Sequence, residues 1–195
     1  KISPTMKAAL ISVEDRRFYE HQGVDWKGTI RAGLTNQVSG SVSQGASTLT
    51  QQYVKLTLQE NALRANDEEA AQAAVRKSAA RKIQEIKYAV TLEKEMTKDQ
   101  ILQGYLNLAY YGDLAYGVEA AAQHYFSVSA KKLNLPQAAL LAGLVQNPGT
   151  TDPIHHPEKA QARRNVVLDR MYGLGIISAK ELKAAKAIPV KKMLK

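Results

Sequence analysis

Three capping boxes punctuate the second half of this sequence and commit it to helices. Thr97 with Gln100, Asn134 with Gln137 and Ser178 with Glu181 each place a short polar residue three positions ahead of an amide or carboxylate. At that spacing the first side chain accepts from the third helical N–H, and the second reaches back to the first residue's own N–H. Upstream, Ser3 reads as an N-cap with Pro4 in the first turn. Met6, Ala9, Leu10 and Val13 then recur at helical spacing, predicting a helix to about Arg17 with Glu14 in its last turn. Residues 18–28 read as a loop, 29–37 as a short helix, 39–47 as a mobile polar segment and 48–58 as a helix. Asn66, Asp67, Glu68 and Glu69 form an acidic helix start, favourable to the dipole, for one long helix to about Glu95. Its expected apolar stripe is Val75, Ala79, Ile83, Ile86 and Val90. Gly149, Pro153 and Pro157 mark a loop, and residues 163–172 are again helical. Strand signals are confined to residues 24–26 and 38–42. The expectation is one mainly α domain over residues 1–195.

Hydrophobic residues at 45% and charged residues at 23% of 195 support a folded core rather than a disordered chain. A net charge of +9 implies an anionic partner: phosphate, nucleic acid or an acidic lipid surface. No run approaches the roughly 20 apolar residues of a membrane span. The chain has no cysteine, which excludes disulfides and thiolate metal sites. Its first residue is Lys1 rather than Met, so it reads as a domain excised from a longer protein, without the anchor.

Two glutamates stand out chemically. Glu14 precedes Asp15, Arg16 and Arg17 at a predicted helix end. The helix end and Asp15 disfavour its charge while the arginines favour it, an environment that can tune a general base or simply form a solvated ion cluster. Glu85 lies off the apolar stripe and shares a face with Arg81, Tyr88 and Leu92, either a cleft wall or an exposed Arg–Glu pair. Ser47, Thr48, Thr50, Gln51 and Gln52 enter a helix after a small-residue segment, where free N–H groups and polar side chains suit an anion or a sugar. Lys55 is one turn further on. The Gly-Lys-Ser/Thr ending of a nucleotide phosphate loop is missing, and no G-x-G-x-x-G occurs. His155 and His156 are adjacent, without helical metal spacing, and His21 and His124 are isolated, so no metal site is expected.

Four motifs in order carry a resemblance. Glu14-Asp15-Arg16-Arg17-Phe18-Tyr19-Glu20-His21-Gln22-Gly23 matches E-D-x-x-F-x-x-H-x-G. Gly45-Ala46-Ser47-Thr48-Leu49-Thr50-Gln51-Gln52 matches G-x-S-T-[IL]-T-Q-Q. Arg81-Lys82-Ile83-Gln84-Glu85 matches R-K-x-x-E, and residues 98–107 match K-x-x-I-L-x-x-Y-L-N. The chain resembles the glycosyltransferase family 51 domain of class A penicillin-binding proteins and monofunctional peptidoglycan glycosyltransferases. Residues 115–122, 138–144 and 163–168 extend the likeness over nearly the whole chain. Departures include Gly104, which is expected to loosen its helix, and Ser127-Val128 in place of a commoner Gly-Lys.

The resemblance implies a lysozyme-like helical fold with a small flexible membrane-proximal lobe, roughly residues 23–45. Trp26, Ile30, Leu34 and Val38 are its lipid-facing candidates. It implies an inverting hexosyltransferase that polymerises lipid II into β-1,4-linked glycan for the bacterial cell wall and releases polyprenyl diphosphate. Glu14 and Glu85 become catalytic candidates, and Ser47, Gln51, Gln52, Lys55, Arg81 and Lys82 substrate-binding ones. The sequence requires no cofactor; a divalent cation, Mg or Mn, at the diphosphate stays open. The implied partners are lipid II, the growing glycan and the membrane surface, with a transpeptidase domain following in the full-length protein. The implied location is the extracytoplasmic face of the cell membrane. Two alternatives stand beside this reading: a lysozyme-like peptidoglycan hydrolase, also built on carboxylates, and a basic nucleic-acid-binding module. The second lacks any groove-entering motif, and no nucleic acid partner is expected.

Overall fold

In the computed structural model, which describes residues 1–28 and 47–195, Pro4 opens the first helix with its φ already set. Helix α1 (Pro4–Glu14) buries Met6, Ala9, Leu10 and Val13, the expected stripe. Two details differ from the sequence reading. Ser3 makes no side-chain cap; its hydroxyl donates to the Leu133 carbonyl at 3.2 Å. Helix α1 also stops at Glu14, because Asp15 leaves helical geometry with φ −158°. Glu14 is therefore the last helical residue.

The chain divides into two compact units: residues 1–16 with 106–195, and residues 17–105. In the first, helix α7 (Leu135–Leu144) is the hub. Every residue from Ala138 to Leu144 is buried, as an all-round apolar helix must be. Each fully buried leucine here contributes about 1.5–3 kcal/mol. Helices α1 and α9 (Pro157–Gly173) pack against it. Gly143 permits the approach of α9: a Cβ there would lie 3.0 Å from Arg163 Cγ. Around this trio stand α6 (Val118–Phe126), the short α8 (Pro148–Thr151) and α10 (Ala179–Ala187). Residues 149–157, read as a loop, thus include a helical turn, since Pro148 and Pro157 both fit first-turn positions.

Among the described residues, Arg164 is the largest fully buried side chain. Its guanidinium donates to the carbonyls of Ile188 (2.5 Å) and Lys186 (3.3 Å) and to Asn165 Oδ1, and it contacts Met193 Sδ at 3.4 Å. A buried cation without a carboxylate is held by backbone dipoles instead.

The second unit contains α2 (Leu49–Arg64), α3 (Glu68–Val75), α4 (Ala79–Glu95) and most of α5 (Lys98–Leu108). The long helix expected from residue 66 to 95 is broken. Arg76 turns extended at ψ 136°, and Ser78 caps a fresh start by accepting from the Arg81 N–H at 3.2 Å. The buried face is also rotated from the expected stripe: Ile83 is 61% exposed, whereas Glu85 and Ala89 are buried. Close packing explains the rotation. Gly23, at φ +81°, lies so near α4 that a Cβ would meet the Ala89 backbone at 2.8 Å. Gly104 does not break α5; it makes room for Tyr53, whose ring a Cβ there would overlap at 2.5 Å.

All three capping boxes form, with Gln100, Gln137 and Glu181 each accepting from the backbone N–H of its cap residue. Among the described residues there is no named strand, only an isolated antiparallel bridge between Tyr110 and Tyr116. Residues 24–26 are not extended pairing partners; Asp25 instead accepts from the Gly28 N–H at 2.9 Å. The helix expected at 29–37, the strand candidate at 38–42 and most of the lobe lie outside the described residues. No helix among the described residues is long and apolar enough to cross a membrane.

The Gly23 approach yields a stability prediction. Gly23→Ala must both adopt positive φ and displace the α4 backbone, so the loss should be about 2–4 kcal/mol. Urea denaturation followed by circular dichroism measures it directly.

Candidate active site

The sequence-predicted site residues fall in both units, and each group is described within its own. In the unit of residues 17–105, α2 begins where Thr48 caps it, accepting from the Gln51 N–H at 3.2 Å. The Thr48 hydroxyl also donates to the Gly23 carbonyl at 2.7 Å, and Gln51 Nε2 reaches the same carbonyl at 3.1 Å. The turn carrying Gly23 and the start of α2 are thereby joined.

Lys82 is the centre of the polar cluster. Its ammonium donates to Ser47 Oγ at 2.7 Å, Gln51 Oε1 at 2.8 Å and Glu85 Oε1 at 2.5 Å. Arg81 binds the other oxygen of Glu85. The Glu85 side chain is only 4% exposed, so its charge survives burial because both oxygens meet cations. Arg81 is held in turn by the Arg76 carbonyl, to which its Nε donates at 2.5 Å. Lys55 belongs to the same electrostatic group. Burial pushes its ammonium below the ordinary lysine range, Glu85 pulls it back up, and Arg81 and Lys82 push it further down.

Lys55, Arg76, Arg81 and Glu85 line a pocket of about 530 Å³, together with Ala70 and Ala73 of α3. Three cations and one carboxylate in its lining leave room for an anionic group. Arg76 was not singled out in the sequence. The signal was the helix break itself, which brings Arg76 and Arg81 to one cavity. Ser47, Gln51, Lys55, Arg81, Lys82 and Glu85 are thus associated. Gln52 accepts from the Tyr105 hydroxyl at 3.1 Å, a contact to α5.

In the other unit, Glu14 ends α1, where the negative end of the helix dipole disfavours a carboxylate. Arg163 and Arg170, both on α9, offset this. Arg163 Nη2 lies 3.9 Å from Glu14 Oε1, and Arg170 donates to the Val13 carbonyl at 2.7 Å. Sequence reasoning assigned the offsetting charge to Arg16 and Arg17. Arg17 instead pairs with Glu20 at 2.9 Å and Asp25 at 3.3 Å. Local sequence could not reveal Arg163, which arrives through the Gly143 packing contact.

Two of the four histidines meet acids. His155 Nδ1 lies 2.6 Å from Asp152, and His124 Nε2 lies 2.7 Å from Asp113. Asp113, Asp152 and His155 bring one ligand atom each within 4.8 Å of the others. The hydrogen bond and charge of Asp152 raise His155 above the ordinary imidazole value. Asp152 is pushed up by burial, but its hydrogen bonds from His155 and the backbone outweigh that and leave it depressed.

Two outcomes are expected. Glu85→Gln should cost about 2 kcal/mol in urea unfolding, less than the 3–5 typical of a fully buried pair because Lys82 stays partly solvated. The His155 contribution is complete below the ordinary imidazole value near 6.5 and fades as pH rises through its raised folded value. His155→Ala should therefore lower Tm more at pH 5.5 than at pH 9, as read by thermal melts at both.

Comparison with known proteins places the chain in a family. Residues 1–172 match the family model described as Transglycosylase. Penicillin-binding protein 1A of Streptococcus oralis is 42% identical over 182 residues, which cover 93% of this chain and 27% of that protein. A provisionally named transglycosylase of Cupriavidus necator is 37% identical over 191 residues, covering 98% of this chain and 76% of that protein. The crystal structure of penicillin-binding protein 1A from Haemophilus influenzae aligns at a TM-score of 0.47 and 42% identity over 49% of this chain and 14% of that one. The chain thus spans about a quarter of the Streptococcus protein it matches. With its family model running from Lys1 to Tyr172, this chain belongs to the transglycosylase family.

Proposed function

We propose that this domain polymerises lipid II into β-1,4-linked glycan at the outer face of the cell membrane. The observation that carries this reading is the Lys82 cluster: three cations, Lys55, Arg81 and Lys82, around a single carboxylate beside an open pocket. One negative charge against three positive ones leaves an excess that suits a diphosphate. A hydrolase has no diphosphate to hold, so the cluster favours transfer over glycan cleavage.

Glu14 takes the proton from the 4-hydroxyl of the acceptor sugar. The freed oxygen attacks the donor's anomeric carbon as the bond to the polyprenyl diphosphate breaks. A single displacement inverts that carbon and gives the β link. Lys55, Arg81 and Lys82 meet the charge that develops on the leaving diphosphate. Ser47 and Gln51 hold Lys82 in place and orient the donor. Arg163, 3.9 Å away, sets a positive charge beside the Glu14 carboxylate. Glu85 holds the cations apart and in register. Both its oxygens are engaged by Arg81 and Lys82, so this donor set does not fit a divalent cation.

Trp26, 64% exposed, is the described member of the lipid-facing set, and we assign it to the membrane surface. The greater length of the penicillin-binding relatives leaves room for the transpeptidase domain of the full-length protein.

Incubation with lipid II in detergent, with glycan resolved by gel, tests the reading. Glu14→Gln should fold normally and lose at least ~10³-fold in turnover. Lys82→Met should lose about 10²–10³-fold, the scale of one removed oxyanion donor. Near wild-type polymerisation by Glu14→Gln would refute the base assignment.

A further inference from the structure

The chain makes a small hairpin between α5 and α6. Tyr111 N–H donates to the Ala115 carbonyl at 2.9 Å, and Gly117 N–H to the Ala109 carbonyl at 2.8 Å. The turn closes through Ala115 N–H to the Gly112 carbonyl at 2.9 Å. Both central residues, Asp113 at φ 44° and Leu114 at φ 60°, are left-handed, the signature of a type I′ turn. Asn and Gly suit such positions; leucine there costs on the order of 1 kcal/mol. Leu114 is also 84% exposed, so neither backbone preference nor burial accounts for it.

The bridge sets Tyr110 and Tyr116 directly opposite each other, which places both side chains on one face. Their rings stack with centroids 4.5 Å apart and an interplanar angle of 28°. Tyr110 is fixed from below, its hydroxyl accepting from the Leu114 N–H at 3.4 Å. Tyr116 lies over it and is 63% exposed. The base of the hairpin is rigid: the Tyr125 hydroxyl donates to the Tyr111 carbonyl at 3.0 Å, and Gly112 has Pro148 O at 3.1 Å from where a Cβ would sit. Asp113, at the tip, has its Oδ2 2.7 Å from His124 Nε2.

We propose that this hairpin is a saccharide-stacking platform that holds an N-acetylhexosamine unit of the glycan. A pyranose presents axial C–H groups on one face and hydroxyl or amide groups around its edge. A fixed aromatic ring takes the first, and a carboxylate with an imidazole beside it takes the second. Prior stacking of Tyr116 on Tyr110 removes the entropic cost of ordering the ring on binding. The composition of the tip argues against a lipid surface: residues 109–117 hold no Lys or Arg, which a membrane-facing tip gains from, and Asp113 has Asp152, His155 and His124 beside it. That the ligand is the enzyme's own glycan rests on the polymerase reading; that it is a saccharide rests on the hairpin alone.

The test is calorimetric titration of the purified domain with a soluble N-acetylglucosamine hexamer, beside sedimentation with anionic phospholipid vesicles. Wild type should bind the hexamer, Tyr116→Ala should bind at least tenfold more weakly, and Tyr116→Phe should stay within twofold of wild type. Asp113→Asn, which keeps the turn, should weaken binding several-fold, and it serves as the reporter if Tyr116→Ala does not fold. The platform is overturned if wild type ignores the hexamer, or if folded Tyr116→Ala or Asp113→Asn binds it unchanged. It is equally overturned if Tyr116→Ala loses vesicle binding while keeping hexamer affinity. Hexamer binding without lipid II turnover would overturn the polymerase and leave the platform standing; turnover without hexamer binding would do the reverse.

Discussion

Glu85 is a carboxylate almost wholly removed from water, and the arrangement of its unit follows from keeping it charged. Burial of an ionised acid is tolerated only when its oxygens are matched by donors. Arg81 and Lys82, one turn back on the same helix, supply them. Lys82 then has donors left for Ser47 and Gln51, which fixes the start of α2. Gln51 and Thr48 share the Gly23 carbonyl, which fixes the preceding turn. One buried negative charge thus orders three segments that are distant in sequence.

Helices announced by local chemistry were legible in advance. Side chains that satisfy nearby backbone groups act over three or four residues, and all three capping boxes formed with the partners expected. Apolar periodicity held for α1 and failed for the long helix expected over residues 66–95. The stripe through Val75 and Ile83 is exposed, because the face of α4 that packs was selected by an ion cluster and a glycine. Ser78 carried the information that the long helix breaks, since a serine ahead of Arg81 can cap as well as continue. Ser3 shows the converse: a good cap residue whose hydroxyl finds a tertiary acceptor.

The candidate site divides along the same line. Arg81, Lys82 and Glu85 are spaced one turn apart, so their association could be read from a helix. Arg76 and Arg163 could not, since each reaches its place through tertiary structure: a broken helix in one case and a glycine contact in the other. At Gly143, packing and electrostatics are one problem. The absent methyl that lets α9 approach α7 also determines how near the Arg163 charge stands to Glu14.

Arg164 bears on where this folding unit stops. The stretch recognisable as transglycosylase runs to Tyr172, yet the guanidinium of Arg164 is satisfied by carbonyls at Lys186 and Ile188 and by the sulfur of Met193. Trimming the protein to that stretch would remove those acceptors and leave Asn165 Oδ1 to satisfy an interior cation. Residues beyond the family match are therefore part of the fold, held to it by the solvation of one guanidinium.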